Sequence, residues 1–179
     1  MKLIAQIISI FAMTMNVLSF QNKVKRNAIA FQFFGGLLFS VSFFMLGAFV
    51  GGLLNLIGVA RSIVYINEER FKAKNPIWLV IFITLYFTSY VLTFTVFGKD
   101  FNFTSMLIEL LPVIGMIATN VSFAMNGAKA IRFLGLISSP SWLIYNIVNL
   151  SLGAILCEVF SIFSIVIGII RFDIKRKEK

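Results

Sequence analysis

Two polar side chains lie deep inside apolar runs, and they are the first candidates for chemistry. Glu158 sits in the run 152–171, about seven residues from its start, roughly 10 Å along a helix axis. A carboxylate at that depth in hydrocarbon costs at least a few kcal/mol, so it must face protein or water, and protonation relieves part of the cost. It can serve as a proton- or cation-binding group in a solute path, or as a neutral acid donating one hydrogen bond to a neighbouring helix. Asn55 lies at matching depth in the run 48–66. Together the two would form a central polar site; alone, Asn55 serves equally as interhelical glue worth about 0.6–2 kcal/mol. Trp142, Tyr145 and Phe39 could wall a solute cavity, although such aromatics also pack in cores or against lipid.

Three further residues suggest gates. Glu109 is expected within a turn or two of one membrane face, guarding an entrance or resting near Lys99 in the headgroup layer. Pro112 and Pro140 fall inside apolar runs, where each removes a backbone donor and can bend its helix. Arg61 and Arg132 are expected to snorkel to the interface. Asn16, Gln32, Asn146 and Asn149 read as helix glue, and Cys157 as a packing residue.

Other chemistry is excluded by composition. The chain has no histidine and one cysteine, so an imidazole base, an imidazole metal site and an intrachain disulfide are ruled out. No nucleophile–base pair, metal-ligand cluster or phosphate-binding loop is present in the sequence. No enzyme, cofactor or metal site is expected. The net charge of +9 does not point to nucleic acid, because the cations sit in short clusters between apolar runs, without interleaved stacking aromatics.

The elements that must hold these residues are membrane helices. Hydrophobic residues make up 59% of the chain and charged ones 13%, against about 45–50% and 25% in soluble domains. Such a chain cannot cover itself with polar surface, so lipid is its solvent. Runs of sufficient length, broken by polar clusters, predict seven helices near 3–20, 28–46, 48–66, 76–97, 104–125, 129–148 and 152–171. The links between the second and third and between the sixth and seventh must be tight turns. The opening Lys2 and apolar stretch resemble a signal peptide, but no A-x-A-like site follows before Gln21, and a retained helix is expected. Alternating the loops puts Lys2 and Lys99 on one side and the other 14 lysines and arginines opposite. The positive-inside rule then predicts the N-terminus outside and the C-terminus in the cytosol.

Sliding the chain over itself by 103 residues places Ser19-Phe20 on Ser122-Phe123, Arg26 on Lys129, Phe39 on Trp142, Asn55 on Glu158 and Met13 on Met116. The expected fold is an all-α membrane protein of two parallel three-helix bundles joined by a linker helix. Residues 1–67 form the first bundle, 68–101 a cytoplasmic loop and the linker, and 102–179 the second bundle with a basic tail.

Glu109-Leu110-Leu111-Pro112-Val113-Ile114-Gly115 resembles the ELLPVIG segment of the YgjV-type bacterial inner-membrane proteins. The ending, with Trp142, Tyr145-Asn146, Glu158 and Ile169-Ile170-Arg171-Phe172, is similar to the close of that family. More distantly, the triplets resemble the SWEET and PQ-loop superfamily, with Asn55 where an asparagine often stands. The Pro-Gln pair of that superfamily is missing and Glu158 replaces its second asparagine, so sugar specificity does not carry over. The resemblance implies the bacterial inner membrane and a SWEET-like 3+1+3 arrangement. The function expected is a small-solute transporter working by alternating access, with Asn55, Glu158, Trp142 and Tyr145 binding the solute. The rival is a non-transporting receptor or scaffold for a partner helix or lipid, with the Lys23–Arg26 loop and Lys175-Arg176-Lys177 as docking points. The expected partners are the bilayer and an unidentified solute. A monomer suffices, and a homo-oligomer is compatible.

Overall fold

The structure, a computed structural model, describes residues 2–45, 49–96, 98–148 and 152–174. The two expected tight turns, Asn149 and the basic tail from Lys175 fall outside those residues. The described elements are α1 (Lys2–Phe20), α2 (Lys25–Met45), α3 (Phe49–Ile66), the short α4 (Glu68–Phe71), α5 (Pro76–Thr95), α6 (Phe103–Ala124), α7 (Ala128–Val148) and α8 (Leu152–Ile169). A single π-helical turn at Ile170–Ile174 follows α8. The apolar runs read from the sequence match the long helices to within a few residues. The short α4 and the π-turn carry no hydrophobic period that could have announced them.

Helix starts are set by local chemistry. Asn75 caps α5 by accepting a hydrogen bond from the Ile77 amide, with Pro76 in the first turn, where its missing donor is harmless. Asn102 caps α6 by accepting from the Ser105 amide at 2.8 Å. Within the helices, hydroxyls such as Ser62, Thr88 and Thr93 donate to the carbonyl four residues back. This satisfies a polar group that lipid cannot.

Among the described residues six helices are long and apolar enough to cross a bilayer, and α3 contributes a shorter apolar stretch, Gly51–Ile66. Large apolar side chains face outward along them, among them Phe11, Phe34, Val91 and Phe163. So much exposed apolar surface is incompatible with water and suits acyl chains. The chain is a multi-pass membrane protein.

Packing follows chain order: α1 on α2, α2 on α3, α6 on α7 and α7 on α8. Helix α1 also packs on α8 and α3 on α6, closing a ring of six helices that α2 and α7 bridge across the middle. Helix α5 lies against α3 and α6. The main core sits on that side, around Tyr86, Phe123, Tyr65 and Phe82; a second cluster joins Ala12, Phe39 and Cys157. Helices α7 and α8 begin and end 103 residues after α2 and α3 (128 − 25 and 169 − 66).

One end of the ring is held by ionic contacts. Lys25 and Lys74 reach Glu68 at 3.1 and 3.5 Å. Partial burial of Glu68 raises its pKa, but hydrogen bonds and charge from Lys25 and Lys74 outweigh this and hold it below the usual carboxylate range. Arg132 forms a bidentate pair with Asp173 at 2.7 and 2.8 Å and donates to the Asn22 carbonyl at 2.9 Å. The Phe172 ring lies under Lys23, Arg132 and Arg171 at 5.1, 5.4 and 5.0 Å. Arg132 therefore does not snorkel: it is buried between the α1–α2 turn and the end of α8, where Asp173 neutralises it.

Candidate functional site

Between the helices of the ring lies a half-open cavity of about 120 Å³, lined from α1, α2, α3, α6, α7 and α8. Asn55, Glu158 and Trp142 all border it, as does Phe39. The lining follows the 103-residue spacing. Asn55 and Glu158, Phe39 and Trp142, Asn16 and Thr119, and Gln32 and Gly135 all contribute as pairs. So do Gly36 and Ser139, Phe43 and Asn146, and Gly58 and Ser161.

The helices place these groups by simple periodicity. Asn55, Gly58 and Arg61 recur at three-residue steps on one face of α3, and Ala154, Cys157, Glu158 and Ser161 share one face of α8. Both faces turn inward. Asn55 donates to the Gly51 carbonyl at 2.9 Å, which holds its amide against its own helix. Glu158 is half-buried, with the Ser139 hydroxyl of α7 within hydrogen-bonding reach. Gly115 lets α6 approach Trp142: a Cβ there would stand 2.8 Å from the indole Cδ1 and 3.2 Å from the Ser138 carbonyl oxygen.

The structure adds one residue that sequence reasoning had assigned to the interface. Arg61 is 4% exposed and borders the cavity. Its Nη1 donates to the Tyr86 hydroxyl at 3.0 Å and the Met116 carbonyl at 3.4 Å, and its guanidinium lies 4.6 Å from the Phe123 ring centre. Its Nε has no hydrogen-bond partner among the described residues. Among the described residues no carboxylate lies within 4.0 Å of it. Helices α5 and α6 cover the face that bears it, so the side chain cannot reach an interface. The three-residue stripe from Asn55 was the available signal for an inward arginine. Arg61 and Glu158 are the two charged residues in the described lining.

The remaining candidates gather outside the cavity. Glu109 is buried and pairs with Lys99 at 3.0 Å, and the Tyr145 hydroxyl donates to its carboxylate. Tyr145 is thus turned toward α6, although its ring stands edge-on to Trp142 at 5.8 Å and so touches the cavity wall. Pro112 is buried within α6, and Pro140 lies within α7 beside Ser139. Gln21 donates to the Ser164 carbonyl and hydroxyl at 2.6 and 2.9 Å, joining the end of α1 to α8. No group of three or more potential metal ligands is found among the described residues.

A family model described as a bacterial inner membrane protein, Imp-YgjV, matches residues 3–176. No curated protein and no solved structure gives a match.

Proposed function

The chain belongs to the Imp-YgjV family of bacterial inner membrane proteins, and we propose that it is a seven-helix carrier of a small solute, working by alternating access. In this reading α3 is the seventh span. Its 18 residues extend about 27 Å, close to the roughly 30 Å hydrocarbon core. The triplets α1–α3 and α6–α8 are then parallel copies, and α5 is the linker that gives both the same direction. The basic end faces the cytosol, which puts the N-terminus outside.

The observation that carries the proposal is the cavity between the triplets, with equivalent positions of both bordering it. A cavity that bears Arg61, Glu158 and Asn55 inside a lipid-embedded ring is costly unless it is occupied or hydrated. Symmetric halves that meet around a site can rock about it. Glu158 is the group that carries a proton beside the solute, Asn55 lines the site from the other triplet, and the Glu109–Lys99 and Arg132–Asp173 pairs close the two ends.

Proteoliposomes loaded with a pH-sensitive dye test this. A panel of small acids, amino acids and sugars should produce solute-dependent proton movement with the parent and none with Glu158→Gln of equal thermal stability. Equal flux by both proteins across pH would end the coupling. Silence of the parent across the panel would end the transport reading.

A further inference from the structure

The cavity's charge pattern narrows its occupant. Arg61 is buried, its Nε lacks a partner, and among the described residues no carboxylate neutralises it at contact distance. A guanidinium offers five donors in a planar fork that suits an oxyanion. The bonds described for Arg61 engage Nη1 alone. Leaving a buried cation without a counter-charge costs several kcal/mol, which a bound anion would offset.

We propose that the cavity binds a small monocarboxylate, its oxyanion held by Arg61 and its carbon body lying toward Phe39 and Trp142, with a proton held on Glu158 beside it. The proposal shares its cavity with the transport reading and adds the chemical class of the solute.

Three observations converge on that class. The first is size: an engineered cavity of about 150 Å³ accepts benzene, so about 120 Å³ accommodates a carboxylate of two or three carbons. The second is lining: Phe39, Phe43, Trp142 and Met116 form apolar wall suited to a short hydrocarbon body, while Asn55, Thr119 and Ser138 can meet a hydroxyl or keto oxygen. The third is charge balance. A carboxylate this deep in low dielectric favours its protonated form, so the empty cavity carries the uncompensated charge of Arg61. Loaded with one anion and with Glu158 protonated the site is neutral, which avoids the cost of moving net charge through low dielectric. A dianion such as phosphate would leave a surplus negative charge.

The other titratable groups near Glu158 do not disturb this balance. Cys157 precedes it on α8. From α7, Tyr145 is bound to Glu109, and Arg132 is paired with Asp173. The α1 face of the cavity contributes Asn16 and Phe20, neither of which titrates, and Arg61 faces it across the cavity from α3.

Calorimetric titration of the detergent-solubilised full chain with lactate, its neutral isostere lactamide and alanine separates the outcomes. Lactate should bind, with lactamide at least 10-fold weaker. Arg61→Gln should weaken lactate roughly 10- to 100-fold, as expected for loss of a charged hydrogen bond, and Arg61→Lys by less. Repeating the titration at alkaline pH, where Glu158 is ionised before binding, in buffers of different ionisation enthalpy should show uptake of about one proton per lactate in the parent and none in Glu158→Gln. If Arg61→Gln does not fold, the lactate–lactamide comparison on the parent still decides. Lactamide binding as well as lactate, or no lactate binding, overturns the proposal. Alanine binding more tightly than lactate without proton uptake overturns it in favour of a zwitterion. Flux of a neutral solute without lactate binding sinks this inference but spares transport; lactate binding without any flux does the reverse.

Discussion

Replacing Asp173 with alanine should loosen one end of the ring and expose the cavity from that side. Asp173 and Arg132 are 7% and 4% exposed, joined through two short hydrogen bonds, and Arg132 also donates to the Asn22 carbonyl. The pair therefore ties α8 to α7 and to the α1–α2 turn. An ion pair of this kind adds little net stability, because desolvation offsets attraction, but removing one partner leaves a buried charge and costs about 3–5 kcal/mol. That cost applies to the closed arrangement, since an opened end lets Arg132 reach water. Even 3 kcal/mol shifts a closed–open equilibrium about 150-fold. Cys157, the sole cysteine, lines the cavity and is 1% exposed, so it is a native reporter. A membrane-impermeant maleimide applied from the basic side should modify Cys157 in Asp173→Ala at least tenfold faster than in the parent. Unfolding in mixed micelles should show a loss of up to about 5 kcal/mol, largely recovered in the double variant Arg132→Met/Asp173→Leu. Parent-like labelling together with parent-like stability would refute the view that this pair closes the end.

Two further outcomes test the local arguments. Gly115→Ala brings a Cβ to 2.8 Å from the Trp142 ring and 3.2 Å from the Ser138 carbonyl oxygen. It should cost about 1–3 kcal/mol by overpacking and shift Trp142 emission in a Trp78→Phe background; unchanged stability and emission would contradict the close contact. Glu68→Gln should cost no more than about 1 kcal/mol, because the Lys25 and Lys74 pairs are partly exposed. The Glu68 carboxyl is held below its ordinary value, so its contribution is present above the usual carboxylate range and lost as pH falls through the depressed value. The difference between parent and variant should vanish in strong acid.

Much of the fold was legible without coordinates. A bilayer demands long apolar helices with satisfied backbones, so breaks such as Asn22–Arg26 and Glu68–Asn75 mark element ends directly. The cost of polar groups in hydrocarbon singled out Glu158 and Asn55, and the 103-residue offset paired them before any packing was known. Both line one cavity.

What tertiary structure alone decided is the direction of long side chains. Arg61 and Arg132 sit near helix ends, where a flexible cation can usually reach the headgroups. Whether it does depends on which helices cover its face, and the partners come from far along the chain: Tyr86 and Met116 for Arg61, Asp173 for Arg132. Tyr145 shares a helix with Trp142, yet it turns to Glu109 of α6. Helical period fixes the face of each residue on its own helix, but only the packed ring determines whether that face meets lipid, a neighbour or the cavity.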